Sequence, residues 1–269
     1  MKYSIYTILN SVYMKYFGKI FINSMYDKVN MSNVENVFIG DTGLTDTDKE
    51  YLSKFDKVKI IDTDINDNGD DFSSWSPKWH NSVTQKTRVL KDIIVKNKLP
   101  IVMIDADVLF LGDIESLIDM NYSVQVCFRN HPRRKNKHNM DYLGSYVSFN
   151  DEKSLDFLIS WIKLIDEHGD VSYEGERLKA KETPCLCDII KSYKINGFIK
   201  IGNVDEDIVS SYDPPQQWWV GDNPRIKLVH FKGYGPYSFS NDIDQAFYGK
   251  IVSRGWGDYV QRYLEEGLG

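Results

Sequence analysis

An apolar run interrupted by two acidic residues constrains this chain most strongly. Residues 101–104 are Ile-Val-Met-Ile, Asp105 and Asp107 follow with one residue between them, and residues 108–111 are Val-Leu-Phe-Leu. In a β-strand, residues i and i+2 point to the same face. Two neighbouring carboxylates repel each other and lose solvation unless a cation neutralises them. The run therefore predicts a divalent-metal site at the carboxyl end of a central strand, where open α/β sheets bind ligands.

The oxygen ligands of Asp105 and Asp107 indicate which metals would suit this site. Hard carboxylate oxygens favour Mn²⁺ or Mg²⁺, which keep open positions for water and for phosphate oxygens of a substrate. The alternative is a purely structural role, in which Asp105 caps the next helix and Asp107 is merely exposed. We favour the metal because both side chains are expected on one face.

The charge balance of the chain limits its partners. The 269 residues include 33 Lys+Arg and 39 Asp+Glu, for a net charge of −6. This balance argues against broad nucleic-acid binding, which depends on many phosphate contacts. One local basic cluster could still bind a phosphorylated ligand, or could be a solvated loop; it comprises Arg129, Arg133, Arg134, Lys135 and Lys137.

Cysteine usage and hydropathy bear on location. An odd and low number of cysteines, namely Cys127, Cys185 and Cys187, builds no disulfide framework and favours a reducing compartment. No apolar run approaches the ~20 residues of a spanning helix, and polar residues interrupt the N-terminus before a signal-peptide core could form. We therefore expect a cytoplasmic protein without an integral membrane segment, or a catalytic unit without its anchor.

Periodicity predicts an α/β architecture with one domain and two functional halves. In the first half, strands alternate with helices, which favours βαβ units and a mostly parallel sheet. The strands are expected at Lys2–Leu9, Val34–Gly40, Val58–Asp62 and up to Asp105, with helices opening at Asn10-Ser11, at Thr45 or Asp46, and near Val83 after a loop over 63–82.

Beyond Asp107 the predicted pattern is mixed. Strands are expected near Ser123–Phe128, Tyr142–Phe149, Phe198–Ile201 and Ile226–Phe231, with helices near 113–119, 151–167 and 183–193. Residues 203–224 lack periodicity, and two helices are expected to close the chain.

Several motifs, taken in order, resemble one known group of enzymes. The matching segments are the first strand with Asn10-Ser11, Gly40-Asp41-Thr42-Gly43-Leu44-Thr45, the basic residues 86–91, Asp105-Ala106-Asp107-Val108, residues 142–150 and His230-Phe231-Lys232-Gly233. They resemble the nucleotide-sugar glycosyltransferases of the GT-A fold. The similarity is greatest to the glycogenin-like and galactosyltransferase-like retaining families and to the related nucleotide-diphospho-sugar transferases, and it covers about residues 3–235.

This resemblance implies a Rossmann-like, mostly parallel central sheet flanked by helices, with a smaller mixed sheet on the acceptor side. Residues 1–107 would form the nucleotide-binding half, and residues 108–269 the acceptor-binding half with the closing helices. The implied reaction moves a sugar from a nucleoside diphosphate-sugar, with UDP as the expected nucleotide, to a saccharide or other hydroxyl acceptor. Retention of the anomeric configuration is expected.

The resemblance also implies a set of site residues. Asp105, Asp107 and His230 would hold Mn²⁺ or Mg²⁺, although a lone strand-end histidine can equally be structural. Arg88 could contact the donor or belong to a solvated helix face. The full set of expected donor-binding residues is Thr7, Asn10, Lys86, Arg88, Asp105, Ala106, Gly144, Ser145, Lys232 and Gly233.

Two acids are candidates for the reacting centre, and one of them would be the general base if the reaction inverted. Glu182 lies where the family usually has Asp-Gln, and Asp188 follows six residues later. Either could instead be an ordinary acid near a helix N-terminus, which the helix dipole favours. Trp218 and Trp219 are candidates for stacking on an acceptor sugar, or for packing a loop onto the core.

Two other functions remain open at this point. A phosphatase of the haloacid dehalogenase type also begins its signature with hydrophobic residues and D-x-D, and would use Asp105 as the nucleophile. Its signature carries Thr or Val four residues on, where this chain has Leu109, and normally lies near the N-terminus. The second alternative is a nucleotide-sugar binding protein that has lost turnover.

Overall fold

The computed structural model describes residues 1–63, 77–129, 140–168, 182–210, 225–231 and 255–265. For residues 77–82, 168 and 265 it describes the backbone alone. The Trp218-Trp219 pair, Lys232 and Gly233 lie outside these ranges, as does the basic cluster except for Arg129.

The described strands are β1 (Tyr3–Leu9), β2 (Val34–Asp41), β3 (Val58–Asp62), β4 (Ile101–Ile104), β5 (Val108–Phe110), β6 (Val124–Phe128), β7 (Tyr142–Phe149), β8 (Ile201–Asp205) and β9 (Leu228–His230). Helix α1 (Ser11–Tyr13) continues through a π-helical turn (Met14–Gly18) into α2 (Lys19–Lys28). The other described helices are α3 (Asp46–Leu52), α4 (Pro77–Lys96), a 3₁₀ turn (Glu115–Leu117), α5 (Lys153–His168), α6 (Glu182–Asn196), α7 (Glu206–Val209) and α8 (Gly257–Glu265).

The central sheet has the strand order β3-β2-β1-β4-β7-β6-β8. Strand β7 is antiparallel to both of its neighbours, and every other pairing in this sheet is parallel. Six strands therefore run in one direction, and their carboxyl ends meet the amino end of β7 at a single edge. We call this edge the carboxyl edge. The expected mostly parallel sheet is confirmed.

A second, smaller sheet in the described residues pairs β5 with β9. The pairing is antiparallel and places Val108 opposite His230. The expected second, smaller sheet is confirmed, and in the described residues its two strands run in opposite directions.

Both faces of the central sheet are covered. Strands β4 and β7 are buried at every position, as expected for strands with helices on both sides. On one face, side chains of β1 pack with Phe21 and Met25 of α2. On the other face, Leu90, Trp161 and Ile190 of α4, α5 and α6 cover the sheet.

Three element boundaries differ from the sequence prediction. Helix α4 begins at Pro77 rather than near Val83, so the predicted loop was too long; proline suits the first turn of a helix, where its missing N–H is not needed. The strand predicted at Phe198–Ile201 is wrong, because β8 begins at Ile201 and Phe198 is exposed. The supposedly aperiodic segment from residue 203 opens with the end of β8 and with α7.

The structure also describes the cysteines and the character of the helices. Cys127, Cys185 and Cys187 are all buried, and no disulfide joins them. None of the helices in the described ranges combines the length and apolar character that a membrane crossing needs. The cytoplasmic location stays a prediction.

Candidate metal and donor site

Three potential metal ligands converge at the carboxyl edge. Ligand atoms of Asp105, Asp107 and His230 all lie within 4.8 Å of one another. The Nε2 atom of His230 is 3.2 Å from Oδ1 of Asp107 and 3.6 Å from Oδ2 of Asp105. We call these three residues the ligand triad. Two carboxylates and an imidazole fit Mn²⁺ well and Mg²⁺ less well, because imidazole is a softer ligand than oxygen.

Local structure explains why residues distant in sequence meet here. Asp105 directly follows β4, and Asp107 directly precedes β5. Because β9 pairs with β5, His230 is brought opposite Val108, one residue from Asp107. The backbone N–H of Phe231 also donates to the carbonyl of Asp107 at 2.8 Å, which extends this pairing beyond the strand ends. The small sheet therefore carries the histidine to the two acids.

Neighbouring groups lower the pKa of Asp107. Burial alone would raise its pKa, but the adjacent His230 ring outweighs this effect, and the pKa of Asp107 lies below its ordinary value. The carboxyl group is therefore ionised at neutral pH, as a metal ligand must be.

Two serines, Ser210 and Ser145, form a hydrogen-bonded chain that ends at Nδ1 of His230. Nδ1 of His230 lies 3.0 Å from Oγ of Ser210, and Ser145 Oγ donates to the same Ser210 oxygen at 3.2 Å. Ser210 can then accept a second hydrogen bond from the Nδ1–H of His230. With a cation bound at the triad, that tautomer would present the Nε2 lone pair to the metal, and Ser210 would hold the imidazole in position. The sequence did not identify Ser210, because nothing in its local pattern marks it.

Ser210→Ala is expected to weaken Mn²⁺ binding by about 10-fold, because the histidine tautomer and orientation are no longer fixed. Isothermal titration with Mn²⁺ measures this change. Ser148→Ala removes a comparably buried hydroxyl that contacts Gln125, and it should leave the affinity unchanged. Equal Mn²⁺ affinity of wild type and Ser210→Ala would contradict the positioning role.

A buried lysine links the ligand triad to a third acid. Nζ of Lys86 is 2.6 Å from Oδ1 of Asp105 and 2.9 Å from Oε1 of Glu182. The Lys86 and Glu182 side chains are only 6% and 5% exposed. Burial alone would lower the pKa of Lys86, but the two carboxylates more than offset this, so its pKa is raised. Lys86 is therefore a permanent cation beside the triad.

A bulge in β7 makes room for this arrangement. Val147 pairs with Val126 of β6 and Leu143 pairs with the next residue, Cys127, so Gly144, Ser145 and Tyr146 have no partner on β6. Such bulges redirect side chains near active sites. Here the bulge places Gly144 against the Glu182 carboxylate, where an added Cβ would lie 2.5 Å from Oε1. A side chain at this position would force the Glu182 carboxylate to move.

Gly144→Ala should lower the free energy of unfolding by about 1–3 kcal/mol, because the new methyl group overlaps the Glu182 carboxylate. Urea unfolding measures the loss. The same substitution in a Glu182→Ala background removes the overlap, so its cost there should be much smaller. Equal costs in both backgrounds would show that Glu182 is not what restricts this position.

The segments expected to bind the nucleotide lie at the ends of β1 and β2. Asn10 accepts a hydrogen bond from the N–H of Tyr13 at 2.8 Å and so caps α1. Asp41 accepts from the N–H groups of Gly43 and Leu44 at 2.9 and 2.7 Å. Gly43 has φ 127°, a conformation that favours glycine. The Asp41 carboxylate therefore holds the turn that ends β2.

Thr7 lies within β1 and Ala106 lies between β4 and β5, and both residues are buried. Among the described residues, no hydrogen-bond partner satisfies the Thr7 hydroxyl. Its predicted donor contact would supply one, and it stays a prediction. Ala106 lies between the two acids of the triad.

Two predicted residues point away from the triad. Arg88 forms an ion pair with Asp166 of α5, which joins α4 to that helix. Asp188 is exposed and lies 3.8 Å from Lys191 one turn along α6. The structure thus groups Lys86 and Glu182 with the triad but does not bring Arg88 or Asp188 to it. The roles predicted for Lys232, Gly233, Trp218 and Trp219 fall outside the described residues.

Comparison with solved structures identifies the fold. The chain is similar to the galactosyltransferase LgtC in complex with donor and acceptor sugar analogs, at 12% identity and a TM-score of 0.55, over 93% of this chain and 96% of that one. It is also similar to the glycosyltransferase GlyE of Streptococcus pneumoniae TIGR4, at 11% identity and a TM-score of 0.57, over 98% of this chain and 61% of that one.

Mouse xyloside xylosyltransferase 1 gives 11% identity and a TM-score of 0.52, over 88% of this chain and 99% of that one. No protein-family model matches the sequence, and no curated protein matches it at the sequence level. The common architecture is the GT-A fold of glycosyltransferases, as the sequence motifs predicted. This fold does not favour the phosphatase alternative.

Proposed function

We propose that this chain is a Mn²⁺- or Mg²⁺-dependent glycosyltransferase. It would transfer a sugar from a nucleoside diphosphate-sugar, with UDP as the nucleotide, to a saccharide or other hydroxyl acceptor. The observation that carries this proposal is the ligand triad at the carboxyl edge of a GT-A sheet. LgtC, which has the same fold, was solved with donor and acceptor sugar analogs, and this supports the same two substrate classes here.

The triad and Lys86 have different electrostatic roles in this proposal. Asp105, Asp107 and His230 would hold the cation, which when bound offsets the negative charge that develops on the diphosphate leaving group. Lys86 fixes the Asp105 carboxylate through its 2.6 Å contact and stays protonated within the site. We propose that it also orients the donor. From the sequence alone, we propose that Lys232 and Gly233 contact the diphosphate.

The Lys86–Glu182 contact supports transfer with retention. An inverting enzyme needs a general base whose proton affinity suits neutral pH. The Glu182 carboxylate is engaged by the ammonium of Lys86 at 2.9 Å. Asp188 is exposed and lies near Lys191. Lys86 engages one of these acids and the other lies away from the triad, so we propose front-face attack with Glu182 near the reacting centre.

The two halves of the sheet support a division of substrates. Strands β1–β4 belong to residues 1–107, for which we propose nucleotide binding, and β6, β7 and β8 belong to the half proposed for the acceptor. Trp218 and Trp219 remain proposed acceptor contacts from the sequence.

Turnover of a panel of nucleoside diphosphate-sugars with Mn²⁺ tests the enzymatic proposal. We expect hydrolysis or transfer for at least one UDP-sugar. Measurable binding without any hydrolysis across the panel would instead favour the non-catalytic binding protein.

The anomeric configuration of the product tests retention. We expect proton NMR of early reaction time points to show the same anomer as in the donor, because Lys86 engages Glu182 and Asp188 lies away from the triad. Appearance of the opposite anomer first would contradict this and would return Glu182 to the role of general base.

A further inference from the structure

Arg129 is a buried cation at the carboxyl edge that the proposed reaction does not use. It directly follows β6, and its N–H donates to the carbonyl of Asp141 at 2.9 Å, which fixes its backbone beside the start of β7. The side chain is only 9% exposed. Its one charged neighbour in the described part of the chain is Glu206, 3.9 Å from Nε to Oε1.

The donors of this guanidinium are not satisfied by Glu206. A distance of 3.9 Å is too long for a hydrogen bond, and Nε has no partner among the described residues. A guanidinium carries five N–H donors in a planar fork. A buried donor that lacks a hydrogen bond is costly, so the unpaired Nε–H calls for an explanation. Acceptor oxygens from a ligand would provide it.

The position of Arg129 relates it to the ligand triad. In the central sheet only β7 separates β6 from β4, so these two strands lie about 10 Å apart side by side. The end of β6 also lies further along β7, because Phe128 pairs with Tyr142 and Ile104 pairs with Tyr146. Glu206 is the first residue of α7, and Ser210, which contacts His230, follows its last residue. The Ser210 N–H donates to the Glu206 carbonyl at 2.9 Å. The single turn of α7 therefore connects Glu206, which lies near Arg129, to Ser210, which contacts His230.

We propose that Arg129 recognises a carboxylate or phosphate group carried by the transferred sugar or by the acceptor. This inference rests on the proposed function and narrows its substrate class to acidic saccharides. The guanidinium fork matches the two oxygens of such a group and forms paired, charge-assisted hydrogen bonds. At about 10 Å from the metal strand, Arg129 is too far for the diphosphate itself and suits a group beyond it.

The sequence after Arg129 favours an anion over a neutral hydroxyl. Four further cations follow within eight residues, and no acid occurs among residues 129–138, although the whole chain has a net charge of −6. The proposal does not depend on where those residues lie.

Binding titrations with matched acidic and neutral ligands test the proposal and distinguish the two sources. UDP-glucuronic acid is compared with UDP-glucose for the donor. Glucuronic acid and glucose 6-phosphate are each compared with glucose for the acceptor, in the presence of UDP and Mn²⁺. We expect the acidic member of at least one pair to bind about tenfold more tightly to the wild type.

The double variant Arg129→Gln/Glu206→Gln replaces both buried charges with neutral amides of similar shape. We expect it to lose the acidic preference while its thermal unfolding remains cooperative. Arg129→Lys, which keeps the charge but not the fork, should weaken the preference, and it decides the question if the double variant does not fold. The matched control is Arg225→Gln, because Arg225 lies 3.7 Å from Asp205 but is 62% exposed; it should retain the preference.

Two results would overturn the inference: no acidic preference in any pair for the wild type, or a preference unchanged in the Arg129 variants. UDP binding in the same titrations separates the two proposals. If UDP binds with Mn²⁺ but no acidic preference exists, the Arg129 inference fails and the proposed function stands. If neither UDP nor any UDP-sugar binds, the proposed function fails and the inference fails with it.

Discussion

Replacing Asp107 by alanine is expected to lower Mn²⁺-dependent UDP-sugar hydrolysis or transfer by about 10³-fold. The substitution removes one of two carboxylates from a triad whose ligand atoms lie within 4.8 Å, and the remaining residues cannot hold a divalent cation firmly. Without that charge the diphosphate is a poor leaving group. Initial rates at saturating Mn²⁺ with the best UDP-sugar of the panel measure the effect.

The control for this experiment is Asp92→Ala. Asp92 lies on α4, its side chain is 66% exposed, and its carboxylate is 3.7 Å from Lys91, so its loss should leave the rate unchanged. An Asp107→Ala enzyme that retains the wild-type rate with Mn²⁺ supplied would reject the metal role of the triad.

Lys86→Met should lower the free energy of unfolding by about 3–5 kcal/mol. Methionine keeps much of the side-chain volume but leaves the carboxylates of Asp105 and Glu182 facing each other without the ammonium that now contacts both. Breaking a buried ion pair from one side costs far more than breaking an exposed pair, because the remaining charge stays desolvated. Urea unfolding in metal-free buffer at neutral pH measures the loss.

The comparison for Lys86→Met is Lys91→Met on the same helix. Lys91 is 41% exposed and lies 3.7 Å from Asp92, and an exposed pair of this kind contributes at most about 1 kcal/mol. Adding Glu182→Gln to Lys86→Met should restore part of the lost stability. Similar unfolding midpoints for Lys86→Met and Lys91→Met would show that the buried network does not stabilise the fold as described.

The raised pKa of Lys86 also fixes how this stabilisation depends on pH. A pKa that is higher in the folded than in the unfolded state contributes stability that is complete below the ordinary lysine value. The contribution is then lost as the pH rises from that value toward the folded-state pKa. The difference between wild type and Lys86→Met should therefore be constant near neutral pH and decrease only in strongly alkaline buffer.

The sequence predicted the centre of the site because the relevant signals are local. Asp105 and Asp107 adjoin apolar strands, so their place at the carboxyl edge follows from strand geometry alone. His230 required the ordered family resemblance, because the pairing of β5 with β9 that delivers it joins residues more than a hundred positions apart. The general α/β architecture followed from the alternation of strands and helices.

What the sequence did not predict depends on tertiary contacts. Nothing in the sequence around Ser210 shows that it contacts His230, because α7 brings the two residues together. Arg129 is one of several basic residues in the sequence, and only the structure shows that its side chain is buried. The bulge that admits Glu182 beside Gly144 arises from the pairing of β7 with two neighbours in different registers. Strand β8 was misplaced because the apolar Phe198 precedes it, although the structure leaves that side chain exposed.

Titration of UDP into the protein with and without Mn²⁺ tests the central claim most directly. If the ligand triad binds a cation that also contacts the diphosphate, UDP should bind at least about tenfold more tightly when Mn²⁺ is present. UDP binding of equal strength in the presence of Mn²⁺ and in the presence of a chelator would contradict the account.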